Sequence, residues 1–249
     1  MSESYIYGIH AVEKFIQQSS PQSIELVATE GRNPRLLSVI GQARKSGIPL
    51  RYASRDELNE LVGNNKHQGC VLQIEVVEGQ QKSLEQCLTE LNGESLFLVL
   101  DGVQDPHNLG ACLRTSDAAG VDAVIIPRDR SVSLNATVRK VSAGAAESVP
   151  LIEVTNLSRC LKMLKDAGVW IYGTSGDAES SLYDFAYQGP VALVMGAEGS
   201  GLRRLTAEQC DYLVSLPMRG VVESLNVSVA TGVCLFEIDR SRRQLTTQG

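Results

Sequence analysis

The chain of 249 residues lacks the features that mark membrane, secreted and metal-binding proteins. It has no run of about 18 or more apolar residues, which argues against a transmembrane helix. Its opening, MSESYIYGIHAVEKF, has no basic segment followed by an apolar one, so we expect no secretory signal and a cytoplasmic location. The six cysteines form no C-x-x-C pair and are expected to be buried, reduced thiols. Only three histidines occur, without ligand spacing, so we predict no metal site.

An excess of positive charge is also missing. The chain carries 23 Lys and Arg against 29 Asp and Glu, a formal charge of −6. A nucleic-acid partner usually requires a basic face, because neutralising phosphates releases counterions. Net charge alone therefore favours an enzyme that acts on a small molecule. Many basic residues are bunched, however, as in Arg128 with Arg130 and Arg139 with Lys140, so net charge does not exclude a restricted contact with a nucleic acid.

Length and pattern predict two α/β domains, since the chain exceeds the ~100–150 residues of one typical domain. Residues 1–77 alternate helix and strand signals, with three strands and Ser54 and Glu57 in a capping box. Residues 78–94 are rich in Glu, Gln and Gly and are interpreted as a linker with one short amphipathic piece. In residues 95–249, six short apolar runs separated mostly by helical segments predict a parallel sheet covered by helices on both faces.

Three segments that follow buried strands of this second domain carry unusual polar residues. In the first, Asn108 stands where a helix N-cap is expected, and Gly110 and Arg114 share one helix face. Arg114 is expected to reach back over Gly110, which would place a guanidinium beside free helix N–H groups and favour an anion. The alternative is an ordinary capped helix with a surface arginine.

The second and third segments follow later strands. VALVMGAEGSGL places three glycines and Glu198 after a strand, a turn that admits a ligand close to the backbone. It lacks the Lys-Ser/Thr of a P-loop and the spacing of a dinucleotide fingerprint. SLPMRGVVESLNVS ends a strand and opens the last helix, where Ser224 and Asn226 are expected as cap residues. A plain tight turn and a plain capped helix are the alternatives.

Together the three segments resemble the motifs of the SpoU branch of the SPOUT RNA methyltransferases. These motifs are N-x-G-x-x-x-R, G-x-E-x-x-G after a strand, and P-M-x-G-x-x-x-S-L-N-V-S-x-A. The chain presents them at residues 108–114, 196–201 and 217–230, with every motif position matched. The likeness extends to YGIHAV, to HQGC and to NATVRKVSAGAAESVPL, and so covers nearly the whole chain.

The resemblance implies a function that charge did not. It implies transfer of a methyl group from S-adenosylmethionine to the ribose 2′-hydroxyl of a guanosine in the peptidyl-transferase region of 23S ribosomal RNA. It also implies a homodimer, a deep trefoil knot in the C-terminal domain, and an L30e-like N-terminal domain that binds RNA. A ribose methyltransferase of the same family acting on tRNA is the nearest alternative. A nicotinamide-dependent enzyme and a non-catalytic RNA-binding module are more distant ones, since neither accounts for all three motifs.

The resemblance also implies residue roles. The cofactor contacts it implies are Gly196, Leu216, Leu225, Thr174 and Gly176. The catalytic residues it implies are Arg114, Asn108, Glu198, Ser224 and Asn226. In family proposals the arginine of the first motif is the base, but a guanidinium stays protonated at neutral pH. We therefore expect Arg114 to stabilise charge on the 2′-oxygen or to clamp a phosphate, with Glu198 as either the proton acceptor or the partner that fixes Arg114.

Overall fold

The structure, a computed structural model, describes residues 2–17, 23–31, 33–76 and 82–247. Backbone contacts divide the chain into two units, Met1–Gln80 and Gln81–Gly249. The structure does not describe residues 77–81. The predicted boundary at residues 77–78 and the first part of the predicted linker, residues 78–81, therefore lie outside the described residues. The rest of the linker contains a short helix, α4 (Leu84–Thr89), which Ser83 and Gln86 cap reciprocally.

The N-terminal unit is a four-stranded sheet with three helices. Its elements are β1 (Ser2–Tyr7), α1 (Ile9–Gln17), β2 (Ser23–Ala28), α2 (Pro34–Lys45), β3 (Leu50–Tyr52), α3 (Arg55–Val62) and β4 (Cys70–Val76). The sheet order is β1-β4-β2-β3, antiparallel except for the β2–β3 pair. The α1 and α2 helices bury an apolar stripe that includes Val12, Val39 and Ala43, which explains their 3.6-residue pattern.

Two details of this unit differ from the prediction. Strand β1 was not predicted, because an edge strand beside the chain start has only Tyr5, Ile6 and Tyr7 as its apolar signal. Ser54 does cap α3, accepting the N–H of Glu57 at 3.2 Å. The capping box is incomplete, however, because the carboxylate of Glu57 pairs with Arg51 Nη1 at 2.7 Å instead.

The C-terminal unit is a seven-stranded sheet between helices. After α4, its elements are β5 (Leu96–Asp101), α5 (Pro106–Ala119), β6 (Ala123–Pro127), α6 (Ala136–Ser142), α7 (Ala145–Ser148), β7 (Leu151–Val154), α8 (Leu157–Asp166), β8 (Trp170–Thr174), β9 (Ser180–Ser181), β10 (Val191–Gly196), α9 (Arg204–Ala207), β11 (Tyr212–Ser215) and α10 (Val227–Thr247). A single 3₁₀ turn, Leu182–Asp184, follows β9. The sheet order is β7-β6-β5-β10-β8-β11-β9, and every described strand pair is parallel.

All six predicted strands are present, and burial explains the clearest of them. Every residue of β5 and β6 is buried, because separate apolar clusters cover the two faces of the sheet. The two-residue strand β9 was not predicted. The order also brings the carboxyl ends of β5, β10, β8 and β11 side by side at one edge. The trefoil knot stays a prediction.

Candidate active site at the carboxyl edge of the sheet

One residue from each of the three motifs meets the others in a hydrogen-bonded cluster. Glu198 Oε1 accepts the side-chain amides of Asn108 at 3.2 Å and Asn226 at 2.7 Å, and it lies 3.4 Å from the main-chain N–H of Val227. Asn226 Nδ2 also donates to Asn108 Oδ1 at 3.0 Å. Glu198 therefore links the start of α5 to the start of α10, and these three residues are called the amide–carboxylate cluster.

Glycines shape the loop that presents Glu198. A Cβ on Gly196 would lie 2.2 Å from the carbonyl carbon of Gly201, so only glycine allows the chain to fold back there. Gly199 and Gly201 have φ of +77° and +65°. Ala197 and Gly201 close the turn with a pair of main-chain hydrogen bonds at 3.1 and 3.0 Å. The turn is tight, as the alternative predicted, and it also directs the side chain of Glu198 toward Asn108 and Asn226.

The first motif is arranged differently from the prediction. Asp105, not Asn108, is the N-cap of α5, and its side chain accepts the N–H of His107 at 2.8 Å. Asn108 lies in the first turn and is buried. Gly110 does not make room for Arg114, since a Cβ there would lie 2.7 Å from Cβ of Val141 on α6. Gly110 is instead required by the close packing of α5 on α6.

The third motif is partly as predicted. Asn226 Oδ1 accepts the N–H groups of Ser228 at 2.9 Å and Val229 at 3.4 Å, so it caps α10. Ser224 does not cap, because α10 begins only at Val227 and Ser224 is exposed in the preceding loop. Among the described residues its hydroxyl has no hydrogen-bond partner.

Arg114 is exposed on α5 and stands apart from the cluster. Within the described part of the chain, its guanidinium forms no ion pair or hydrogen bond, and the partners of Glu198 do not include it. The same is true of Arg128 and Arg130, exposed in the loop after β6. That loop is tied to the one after β5 by a hydrogen bond from the Val132 N–H to the Val103 carbonyl at 3.0 Å.

The five predicted cofactor contacts lie on or after the neighbouring strands β8, β10 and β11. Thr174 ends β8 and donates its hydroxyl to the Val194 carbonyl at 3.2 Å. Gly176 follows in a loop where a Cβ would meet nothing within 4 Å. Gly196 ends β10, Leu216 follows β11 and packs partly against the core, and Leu225 is 38% exposed. Ligands of open parallel sheets bind at this edge.

Sequence reasoning missed one buried charge at the site. Asp101 ends the otherwise apolar strand β5, and its side chain is fully buried. It accepts the main-chain N–H of Arg203 at 3.0 Å and the Nε–H of the same residue at 2.5 Å, and it forms an ion pair with Nη2. A carboxylate closing a buried strand was the available signal.

The N-terminal unit contains a separate open cleft. The cleft is lined by Ile9, His10, Glu13, Asn33, Arg35, Ser38 and Gln68. Gln68 has φ of +55°, and its Oε1 accepts the N–H of Ile9 at 3.0 Å. Glu13 accepts Gln42 Nε2 at 3.1 Å, whereas Arg35 and His10 are exposed. The cleft therefore offers cationic and hydrogen-bonding groups to a ligand.

Neither a metal site nor a reactive thiol is formed by the residues that the structure describes. Across the described ranges, no three His, Cys, Asp or Glu side chains cluster as a metal site would require. No described helix is both long and apolar enough to cross a bilayer. Five of the six cysteines are buried and Cys210 is partly buried. Burial raises the pKa of Cys70, Cys160, Cys210 and Cys234 to about 12, so these thiols are poor nucleophiles.

Comparison with known proteins identifies relatives of both units of the chain. Residues 95–236 match the SpoU rRNA Methylase family, and residues 5–79 match the RNA 2′-O ribose methyltransferase substrate-binding domain. The 23S rRNA (guanosine-2′-O-)-methyltransferase RlmB of Yersinia pestis is 52% identical over 243 residues, 97% of this chain and 98% of that protein. RlmB of Escherichia coli is 50% identical over 244 residues, 97% of this chain and 100% of that protein.

Solved structures show the same fold. The SpoU methyltransferase AviRb from Streptomyces viridochromogenes, in complex with the cofactor AdoMet, has a TM-score of 0.74 at 21% identity, covering 97% of this chain and 91% of that one. An RNA 2′-O ribose methyltransferase has a TM-score of 0.75 at 26% identity, covering 96% and 89%. The three motifs, their meeting point and these matches lead to one conclusion: the chain belongs to the SpoU rRNA methylase family.

Proposed function

We propose that the chain transfers a methyl group from S-adenosylmethionine to the ribose 2′-hydroxyl of a guanosine in 23S ribosomal RNA. The observation that carries the proposal is the amide–carboxylate cluster, which joins the three motifs at the carboxyl edge of a parallel sheet. The relatives that match nearly the whole chain bear this activity in their names. The tRNA alternative has weaker support, because the tRNA-modifying enzyme of A. aeolicus aligns with 66% of the chain at 30% identity and a TM-score of 0.57, whereas the 23S rRNA relatives match 97% of the chain at 50–52% identity.

The residues at the edge fit the cofactor. Gly176 leaves its backbone open, and Leu216 and Leu225 offer partly exposed apolar surface, which suits an adenine held by main-chain groups. Thr174, Gly176, Gly196, Leu216 and Leu225 would hold it. Gly196 contributes through its main chain, since the backbone of Gly201 fills its side-chain position. When bound, S-adenosylmethionine supplies an electrophilic methyl group on a sulfonium.

Arg114 and the cluster have separate tasks in this proposal. As the ribose oxygen is methylated, its hydroxyl proton passes to an RNA phosphate or to water, and the exposed guanidinium of Arg114 stabilises the charge that develops on that oxygen or holds the adjacent phosphate. Three N–H donors converge on one oxygen of Glu198, the geometry of a fixed hub, so Glu198 positions Asn108 and Asn226. Ser224 is free to contact the RNA.

RNA contact is proposed on both units. In the N-terminal unit the cleft beside Arg35 and His10 receives an RNA phosphate and an unstacked base, in keeping with the substrate-binding family that this region matches. In the C-terminal unit Arg128 and Arg130 contact phosphates near the target ribose. A chain with a charge of −6 then binds RNA through a few local contacts.

A homodimer is the proposed assembly. The terminal helix buries Val227, Cys234 and Ile238 but exposes a second stripe of Val229, Val233 and Phe236, which are 53%, 36% and 49% exposed. An apolar stripe of this spacing on a protein surface is typical of an interface. Sedimentation of a Val229→Glu, Phe236→Glu variant is expected to show a monomer where the parent shows a dimer.

The proposed activity is tested by mapping ribose methylation. Ribosomal RNA and tRNA from a strain lacking the gene are compared with the parent and with a strain carrying the gene on a plasmid. We expect one 2′-O-methylguanosine of 23S RNA to disappear and to return on complementation, and purified protein with S-adenosylmethionine to restore it in vitro. Loss of a tRNA methyl group with intact 23S RNA would favour the alternative, and binding of NAD without response to S-adenosylmethionine would overturn the proposal.

A further inference from the structure

Asp101 holds both ends of the loop that carries Glu198. At the start of the loop, Gly196 on β10 is paired in register with Asp101 on β5. At the end, both carboxylate oxygens of Asp101 bind Arg203, one through the main-chain N–H and the other through the guanidinium. Asp101 therefore lies beside the start of the 197–202 loop and binds the residue that ends it, in addition to the hydrogen bonds between Ala197 and Gly201 within the loop.

The same residue also leads into the first motif. Gly102 follows it with φ of +93°, and a Cβ on Gly102 would lie 3.7 Å from Cβ of Ala197. The chain then enters α5, which presents Asn108 to Glu198 at 3.2 Å. Asp101 thus lies at the junction of the two segments whose side chains meet in the amide–carboxylate cluster.

The two side chains of the ion pair between Asp101 and Arg203 are buried to different extents. The side chain of Asp101 is completely buried, whereas that of Arg203 is 43% exposed. A buried charge is costly, and an apolar residue at the end of β5 would pack without that cost. Among the described residues, the hydrogen bonds and the ion pair of the Asp101 carboxylate all go to Arg203, so this buried carboxylate is better suited to fixing the end of the loop than to stabilising the core.

From this geometry we propose that Asp101 is a positioning residue for methyl transfer, acting through Arg203 and the 197–202 loop on Glu198. The proposal rests on the proposed function. Because its side chain is fully buried, we do not assign Asp101 a direct contact with the RNA or the cofactor. Its task is to set the position of Glu198 relative to Asn108 and Asn226, so that the cluster is formed before the ligands arrive.

The first test is a double-mutant cycle on the rate of methyl transfer under single-turnover conditions. Asp101→Asn keeps the size of the side chain but turns an amide toward the donors of Arg203. We expect it to lower the rate by about 10-fold or more, with KM for RNA changed less than about 2-fold. In a Glu198→Ala background the same change should lower the rate less than about 2-fold further, because both changes then act through one hub.

A second measurement needs neither RNA nor cofactor. Amide hydrogen exchange of a peptide spanning residues 196–203 is expected to be faster in Asp101→Asn than in the parent protein. Glu147→Gln is the matched control, since the Glu147 side chain is only 10% exposed and forms a similar pair with Arg139 at 2.7 Å, outside the loop. It should lower the melting temperature without changing exchange at residues 196–203 or the rate.

Arg203→Lys is the companion variant if Asp101→Asn does not fold. It keeps the charge and the main-chain N–H but removes the guanidinium fork, so we expect a smaller effect in the same direction. Additive rate losses in the cycle, or unchanged exchange of the loop, would overturn the proposal. An inactive parent protein would instead count against the proposed function, and the exchange experiment would still decide whether Asp101 holds the loop.

Discussion

The polar side chains at the carboxyl edge of the C-terminal sheet fall into two groups. Asn108, Glu198 and Asn226 satisfy one another by hydrogen bonds, as Asp101 and Arg203 do. By contrast Arg114, Arg128, Arg130 and Ser224 are exposed and, in the described part of the chain, have no side-chain partner. The first group is fixed by its own hydrogen bonds, whereas the second leaves its polar groups available to a ligand, which we propose to be RNA. Variants of the two groups should therefore separate stability from activity.

The largest expected effect on activity comes from Arg114, which belongs to the exposed group without side-chain partners. Arg114→Lys keeps the positive charge but removes the guanidinium fork, so we expect kcat to fall ~100-fold or more. The melting temperature should stay unchanged, because Arg114 is exposed and, among the described residues, forms no pair. Methyl transfer and thermal unfolding measured on the same preparation test this. Turnover close to that of the parent protein would remove Arg114 from the proposed chemistry.

Glu198→Ala is expected to lower both the stability of the protein and the rate of methyl transfer. It leaves the amides of Asn108 and Asn226 without their shared acceptor, which should lower the free energy of unfolding by ~1–3 kcal/mol. The rate should fall ~10–100-fold, because the groups it positioned are displaced. Denaturant unfolding and single-turnover rates give the two numbers. A large rate loss with unchanged stability would mean that Glu198 takes part in the chemistry and does not act mainly by fixing Asn108 and Asn226.

The loop after β6, which carries Arg128 and Arg130, is expected to affect RNA binding more than the rate of methyl transfer. An Arg128→Gln, Arg130→Gln variant should bind RNA more weakly and reduce the slope of log K against log salt by ~0.7–0.9 for each phosphate that the loop no longer neutralises. The control, Lys162→Gln with Arg243→Gln, removes two charges that are paired with Asp166 and Asp239. The control should leave the slope unchanged. Equal slopes for all three proteins would mean that the loop does not contact phosphate.

The division between the two groups was only partly predictable from sequence. The six strands were predictable from their continuous apolar runs, although only β5, β6 and β10 are buried along nearly their whole length. Asn108, Glu198 and Asn226 were identified through motifs, but their mutual bonds depend on strand order. The bond between Asn108 and Glu198 joins residues 90 positions apart, and that between Asn108 and Asn226 joins residues 118 apart. No local sequence pattern predicts that β10 lies beside β5. Gly110 was misassigned for the same reason, because its partner Val141 comes from another helix.

The smallest expected effect compares two serines at the start of α10. Ser228 Oγ donates to Asn226 Oδ1 at 2.6 Å and belongs to the partnered group, whereas Ser224 is exposed in the loop before the helix. Ser228→Ala should lower the free energy of unfolding by ~0.5–1.5 kcal/mol, because it removes one hydrogen bond at the cap. Ser224→Ala should leave stability unchanged and lower the methyl-transfer rate ~3–10-fold, the effect of removing a single neutral hydrogen bond to the RNA. If Ser224→Ala lowers the free energy of unfolding as much as Ser228→Ala does, or leaves the methyl-transfer rate unchanged, exposure does not identify the residues that act in function at this site.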